Sequence, residues 1–294
     1  MRRTARTSEH IGFRRKREAS RNVSEHTEVP GFGNALGKYR LIERLDELEV
    51  GEAHIAKLVG MAGFEKQVVI WCVGETSTHV ADLAKVAMLE ATRGAALSHA
   101  NLAQVLDVGA VGGVCFVATE HVLGPTLEEA LRVRKTLPWP VAAHIAAEVA
   151  AALSYAHGRR APNGELLRLV HRRLAPCRIA LSSAGDVKVT GFGTSWAWPP
   201  LDKYRSPEEA RGEPVDGRAD VFALGAVLHR CLPQTGVPQA LRDAVERALQ
   251  PYPEYRSTAA ELQHDLVQVL HGAERPVAPG DLAELAVATA TSRR

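Results

Sequence analysis

The apolar residues of this chain change their spacing at Gly124 and Pro125, and this change most restricts the folds that the chain can adopt. Before the break, residues 68–73 form a short continuous run of β-favouring apolar residues, typical of a strand that is covered on both faces. After the break, apolar residues recur every four positions over residues 138–157, which predicts a helix with one buried face. The sequence therefore predicts an α+β fold in which a β-rich part precedes a helical part.

The predicted boundaries follow from this pattern and from the charge. The β-rich lobe is residues 38–121 and the larger helical lobe is residues 122–272. Residues 1–37 carry eight Lys or Arg against two Glu in their first 21 positions, so +6 lies there although the formal net charge of the chain is +2. This segment is predicted to be a basic, disordered tail, with binding to nucleic acid, anionic lipid or an acidic partner as the alternatives. Residues 273–294 are predicted to be a loosely held C-terminal tail with one weakly amphipathic helix.

The sequence also argues against several classes of protein. The most apolar helical stretch, residues 141–153, is too short to span a bilayer and includes His144 and Glu148. No apolar stretch follows the N-terminal arginines, so no secretory signal is expected. The four cysteines are widely separated, which argues against a zinc site or a disulfide framework and favours a reducing compartment. We therefore expect a cytoplasmic protein with no membrane span, no metal and no cofactor.

Six short motifs resemble those of the bacterial eukaryote-like Ser/Thr protein kinases, and the resemblance extends over about residues 39–271. They are Gly63-Phe64-Glu65-Lys66 with Val68-Val69-Ile70, Leu97-Ser98-His99-Ala100-Asn101, His171-Arg172, Phe192-Gly193, Ser206-Pro207-Glu208 and Asp220-Val221-Phe222-Ala223-Leu224-Gly225. Each motif alone is weak evidence, but six in the expected order and spacing are specific. The resemblance implies the bilobal protein-kinase-like fold, with a small β-rich N-lobe and a larger helical C-lobe.

At four positions where the resemblance implies catalytic charges, this chain carries other residues, so it is similar to a degenerate member of the family. Trp71 replaces the strand lysine that would hold the phosphates. Arg173 stands where the family has its catalytic aspartate, and Arg178 and Gly191 stand where it has magnesium ligands. An arginine is permanently protonated, so it neither accepts a proton nor binds a metal cation. Trp71 is either a plug in the nucleotide cleft or ordinary core filler.

The glycine-rich loop that the resemblance implies is also altered. Asp46 and Leu48 occupy its first two glycine positions, and only Gly51 remains. Side chains at these positions hinder the close approach of backbone N–H groups to a phosphate, and Asp46 with Glu49 would repel it. The sequence therefore argues against ATP binding.

Other residues match the positions that the family uses for its architecture. The resemblance implies that Glu90 has lost its lysine partner, and that Glu208 and Arg256 form a buried ion pair. Retention of such a pair indicates a domain that still folds, because breaking one partner costs about 3 to 5 kcal/mol. The retained structural residues are Glu90, His171, Arg172, Phe192, Gly193, Glu208, Asp220 and Arg256.

The segment between Phe192-Gly193 and Ser206-Pro207-Glu208 is short, which makes the usual platform for a peptide substrate doubtful. It contains Trp196 and Trp198. These tryptophans either form a surface for a protein partner, where Trp is enriched, or pack down on the cleft of the domain itself.

These substitutions together predict a pseudokinase, a kinase-like domain that is not an enzyme. It would act as a signalling scaffold, allosteric partner or decoy for a protein partner, such as an active kinase or its substrate, without specific nucleic-acid binding. The alternative is an atypical active Ser/Thr protein kinase or nucleotidyl transferase that holds ATP in a non-standard way. In that alternative Lys57 or another cation would replace the missing lysine.

Overall fold

The computed structural model of the chain describes residues 35–48, 51–73, 78–197 and 201–292. Within these ranges, the N-terminal part forms an antiparallel sheet of six strands in the order β1-β2-β3-β4-β6-β5. Helix α1 (Thr78–Gly94) connects β4 to β5 and contacts β5 and β6. The strands are β1 (Ala35–Leu36), β2 (Tyr39–Leu48), β3 (Gly51–Val59), β4 (Glu65–Val73), β5 (Val105–Val111) and β6 (Val114–Glu120).

Strand β4 lies inside the sheet, paired with β3 on one side and with β6 on the other. Its residues Val68 and Ile70 belong to a buried cluster with Tyr39 and Phe116, whose rings meet edge to face at 5.5 Å. On its opposite face, Trp71 packs in a second cluster with residues of α1. Both faces of β4 are covered, and the predicted doubly covered strand over residues 68–73 is confirmed.

The helical lobe is built around α3, which packs against both α5 and α7. None of the helices in the described ranges is long and apolar enough to span a membrane. A small hairpin of two strands lies beside α2 and α3 and leads into the segment that carries Phe192. The elements are α2 (Leu127–Arg134), α3 (Trp139–His157), β7 (Ile179–Leu181), β8 (Val187–Val189), α4 (Pro207–Ala210), α5 (Gly217–Cys231), α6 (Gln239–Ala248), α7 (Ala259–Leu270) and α8 (Pro279–Thr291).

The sequence of α3 explains its central place. Its apolar residues Ile145, Val149 and Leu153 are at most 2% exposed, so the helix predicted over residues 138–157 has the buried face that its spacing indicated. Many of its other residues are alanines, which allow α5 and α7 to approach closely. The predicted α+β architecture, with a small β-rich lobe before a larger helical lobe, is confirmed.

The two ends of the chain differ from the sequence expectation. Most of the predicted basic tail, residues 1–34, lies outside the described residues, but Ala35–Leu36 pairs with β2 and Leu36 is buried. At the other end, the prediction of a loosely held tail is wrong for α8. Leu282 and Leu285 of this helix belong to the main core, and α8 contacts α2 and β7. Buried apolar area, which the weak helical periodicity did not reveal, holds this helix in place.

We predict that Leu282→Ala lowers the free energy of unfolding by about 2 to 5 kcal/mol, because it leaves a cavity at a fully buried position. The matched control is Val287→Ala on the same helix, where the side chain is 58% exposed and the change should stay within about 0.5 kcal/mol. Urea unfolding followed by circular dichroism measures both. Equal effects of the two substitutions would contradict the packing of α8 described above.

Candidate functional site

A buried carboxylate organises the loop that follows residue 170. Asp220, in the first turn of α5, accepts hydrogen bonds from the backbone N–H groups of His171 and Arg172, each at 2.8 Å, and pairs with His157 Nε2 at 2.8 Å. Burial by itself would raise the pKa of Asp220, but the hydrogen bonds and the neighbouring histidines hold it below its ordinary value. Arg172 has a φ of +64°, which turns both N–H groups toward one carboxylate.

His171 is held as a neutral imidazole by its partners. Its Nε2 contacts the carbonyl oxygen of Thr190 at 2.9 Å, and its Nδ1 accepts the backbone N–H of Arg173 at 3.2 Å. One ring nitrogen therefore donates and the other accepts, which only the neutral form allows. Burial lowers the pKa of His171, and the positive charges of Arg178 and Arg173 lower it further, although Asp220 opposes them. The ring stands edge-on to Phe192 at 4.8 Å between centroids.

Glu208 and Arg256 form an ion pair inside the helical lobe. The guanidinium donates two hydrogen bonds to the carboxylate, at 2.8 and 2.9 Å, and it also bonds the carbonyl oxygens of Gln250 and Arg218. Burial raises the pKa of Glu208, but the hydrogen bonds from Arg256 outweigh it, so the pKa lies below its ordinary value. This pair ties α4 to the segment between α6 and α7.

The inner end of the cleft between the lobes is filled by side chains. Trp71 donates a hydrogen bond from Nε1 to Thr119 Oγ1 at 3.2 Å and packs in one cluster with Ala91 of α1 and Ala197. Trp196 is half-buried against the same cluster and donates from Nε1 to a backbone carbonyl oxygen at 3.3 Å. Trp71 is therefore a shared packing centre of the sheet, α1 and the segment after Phe192.

Glu90 of α1 has found a different partner from the lysine that the resemblance implies. The hydroxyl of Ser195 donates to its carboxylate. The approach of α1 to this segment is close because glycines meet there: a Cβ atom on Gly94 would lie 2.9 Å from Cα of Gly193. Nothing in the pattern of the sequence indicated the contact between Glu90 and Ser195, since the two residues are 105 positions apart.

Arg178 of this loop lies beside Gly191. A Cβ atom on Gly191 would stand 3.2 Å from His171 Nε2 and 3.6 Å from Arg178 Cδ, and its φ of +109° favours glycine. Arg173 donates to Glu209 of α4 at 2.9 Å, a contact that the sequence did not predict. Arg178 therefore lies beside a backbone position that crowds any larger side chain, whereas the charge of Arg173 is paired with the carboxylate of Glu209.

The residues present do not fit a magnesium ion held by side chains. Arg178 and Gly191 offer no carboxylate or amide oxygen, and a hard cation of this kind needs oxygen ligands. Among the described residues, no group of three or more His, Cys, Asp or Glu side chains is arranged to hold a metal.

The remaining predicted positions lie at the edges of the cleft. Asp46 and Leu48 belong to β2, opposite Ala53 and Gly51 of β3. A side chain on Gly51 would collide with the carbonyl oxygen of Cys72, so this glycine is needed for the close pairing of β3 with β4.

Two other expectations concern Trp198 and Lys57. Trp198 lies outside the described residues, whereas the packing of Trp196 matches the alternative in which the segment packs on the cleft. Lys57 bonds Glu65 at 2.6 Å near the turn of the β3–β4 hairpin, at the opposite end of β4 from Trp71. It therefore does not occupy the place of the missing lysine.

A two-lobed fold with a loop held by a buried aspartate, a histidine edge-on to Phe192 and a buried Glu–Arg pair defines a kinase-like domain. Residues 63–247 match the family model described as protein kinase domain, and the chain belongs to this family. The predicted resemblance and the bilobal fold are both confirmed.

Several named proteins and structures are similar to this chain. The tyrosine-protein kinase MasK of Myxococcus xanthus is 35% identical over 211 residues, which cover 67% of this chain and 33% of that protein. The serine/threonine-protein kinase PknB of Mycobacterium tuberculosis is 32% identical over 236 residues, covering 65% and 36%. The crystal structure of the M. tuberculosis PknI kinase domain has a TM-score of 0.62 at 24% identity, covering 80% of this chain and 97% of that one. This chain spans about a third of the length of the two sequence relatives.

The prediction that the chain is not an enzyme is contradicted by these comparisons, because the relatives it matches are named protein kinases. The named kinases also give no support to the expectation that the chain does not bind ATP. Both predictions compared single residue positions with the standard kinase mechanism. Phosphoryl transfer depends mainly on positioning and on stabilising charge, and more than one set of residues can supply these.

We predict that Arg256→Ala lowers the free energy of unfolding by about 3 to 5 kcal/mol, because it leaves the carboxylate of Glu208 buried and unpaired. Arg247→Ala is the control, since its ion pair with Asp265 is exposed and should contribute at most about 1 kcal/mol. Chemical denaturation of the three proteins at neutral pH makes the comparison. A loss under 1 kcal/mol for Arg256→Ala would show that the pair is not needed for folding.

We also predict that the domain loses stability as the pH falls below about 6.5, the ordinary pKa of histidine. The pKa of His171 is lower in the folded state than in the unfolded state, so the unfolded chain takes up the proton first. The loss approaches about 1.4 kcal/mol per pH unit for one such group, and it stops once the pH is below the folded pKa.

Urea unfolding of the wild type and of His171→Phe at pH 7.5, 6.5 and 5.5 tests this. The free energy of unfolding should fall less steeply with decreasing pH in the variant than in the wild type. The pH dependence that remains belongs to other groups, including the half-buried His121, whose pKa burial also lowers. Identical slopes would exclude His171 as a source of the pH dependence.

Proposed function

We propose that this chain is an atypical protein kinase of the bacterial Ser/Thr type, in which fixed arginine charges serve where the family uses a lysine and carboxylate-held metal. The observation that supports this most directly is the position of Arg178, whose side chain lies beside Gly191 and the buried His171, while Arg173 follows in the same loop and is paired with Glu209. Asp220 holds the backbone at the start of this loop, so the path of the chain that carries both arginines is in place before any substrate arrives.

The chemistry that this arrangement allows is limited but specific. Guanidinium groups bind phosphate oxygens with two parallel hydrogen bonds and keep their charge at every physiological pH. No carboxylate stands at the position of the catalytic aspartate, and the loss of a general base typically costs about 10² to 10⁴ in rate. We therefore expect slow transfer, well under the 1 to 100 per second that is typical of protein kinases.

The closed cleft sets a further condition for this activity. Trp71, Trp196 and Ala197 fill its inner end, and the bond from Ser195 to Glu90 holds the segment against α1. A nucleotide would therefore bind in a pose that avoids Trp71, or bind after the segment that carries Trp196 has moved away. Either possibility differs from the standard pose, in which a lysine on this strand contacts the phosphates.

We predict slow transfer of label from ATP labelled at the γ-phosphate to a general protein substrate such as casein, measured with magnesium, with manganese and with EDTA. Activity that survives in EDTA is expected, because the arginines and not a side-chain metal site supply the positive charge. Arg178→Ala should lower the rate about 10²-fold or more. The matched control is Arg242→Ala, an exposed arginine of α6, which should leave the rate unchanged.

The position of the label distinguishes the possible reactions. Transfer from the γ-phosphate supports a kinase, whereas transfer only from ATP labelled at the α-phosphate would make the chain a nucleotidyl transferase. No label above that of heat-denatured protein, under any of the three metal conditions, would overturn the proposal.

A further inference from the structure

A cavity of about 440 Å³ lies away from the cleft, where the end of α1 meets the loop after α3. Its charged lining consists of Arg93 from α1 and of Arg159 and Arg160 from the helical lobe. Its remaining wall is mostly apolar, with Ala96, Pro162 and Leu167. This is the size of a typical ligand pocket, and its charge is of one sign.

The two arginines of the helical lobe are presented by an ordered loop. Arg160 bonds the carbonyl oxygen of Gly164 at 2.7 Å, and the guanidinium of Arg159 lies over the ring of Tyr155 at 5.9 Å. Backbone hydrogen bonds close the loop, from Leu167 N to Arg159 O and from Ala161 N to Glu165 O. The positions of the guanidinium groups are thus restricted before a ligand binds, which lowers the entropy cost of binding.

The positive charges of this cavity are not balanced by carboxylates of the described residues. In the part of the chain that the structure describes, Arg93, Arg159 and Arg160 form no ion pair with a carboxylate. Glu165, in the same loop, is exposed and accepts a hydrogen bond from Asn163. The three arginines are exposed and line one pocket, so an oxyanion between them would gain charge-assisted hydrogen bonds without breaking an ion pair.

We propose that this cavity is a docking site for a phosphorylated side chain on a peptide segment of a protein partner. A phosphate monoester carries up to two negative charges and three acceptor oxygens, which match three arginines. The apolar wall would make no favourable contact with a free inorganic anion, but it can contact the residues that flank a phosphorylated side chain in a peptide. The proposal does not depend on catalysis in the cleft.

Binding here would connect the two lobes. Arg93 belongs to the same turn of α1 as Gly94, which packs on Gly193, and α1 also carries Glu90, the partner of Ser195. A phosphate held by Arg93 on one side and by Arg159 and Arg160 on the other fixes the end of α1 relative to the helical lobe. We therefore expect hydrogen exchange of the α1 amides to slow when the site is occupied.

The test uses the full chain and a fluorescein-labelled peptide library with one fixed phosphothreonine and degenerate flanks, followed by fluorescence anisotropy. We expect binding at least tenfold tighter than that of the same library with threonine. The double variant Arg159→Ala, Arg160→Ala should lose at least tenfold in affinity. The matched control, Arg134→Ala with Arg242→Ala, removes two exposed arginines elsewhere on the helical lobe and should bind like the wild type.

Three outcomes would overturn the proposal. Equal binding of the phosphorylated and unphosphorylated libraries would show that the phosphate is not recognised. Equal loss in the control variant would show a general effect of net charge. Competition by inorganic phosphate at the concentration at which the phosphopeptides themselves compete would show that the site takes only a free anion.

Discussion

The carboxylate of Asp220 is the interaction on which the arrangement of this domain depends. It is buried in the first turn of α5, where the positive end of the helix dipole favours a negative charge. From there it holds the backbone of His171 and Arg172 and the side chain of His157. With the loop held in this way, the ring of His171 packs edge-on against Phe192, and this contact connects the helical lobe to the segment that faces α1.

The same segment joins the lobes through packing where the family relies on an ion pair. Glu90 bonds Ser195, and the indole of Trp71 fills the space between the sheet, α1 and Ala197. Close contact between Gly94 and Gly193 makes this joint compact, since a side chain on either would force the backbones apart. Arg178 lies beside Gly191, the residue before Phe192, and Phe192 contacts His171 of the loop, so the packed joint and the loop are connected through Phe192.

The comparison of sequence with structure is most instructive where they disagree. The helix α8 has apolar residues on one face, at Leu282, Leu285 and Ala286, but its alanine-rich sequence gives this face little contrast, and only burial against α2 and β7 revealed its role. The inference that the chain is not an enzyme compared Trp71, Arg173 and Gly191 with a standard mechanism one position at a time. The sequence relatives are named kinases, which contradicts this inference. The identity of single residues does not define how a whole site distributes charge.

The sequence by itself determined the elements and their order. The continuous apolar run of β4 and the four-residue spacing of α3 are local patterns that burial imposes on any strand or helix, and the ordered motifs identified the family. Only the tertiary structure decided which distant side chains meet. The contact of Glu90 with Ser195 and the convergence of Arg93 with Arg159 and Arg160 arise from the packing of α1 against the helical lobe. The partner of Arg173 lies on α4, and that of Trp71 lies on the neighbouring strand β6. No local pattern encodes such contacts, because they join segments that are far apart in the chain and depend on the geometry of the whole core.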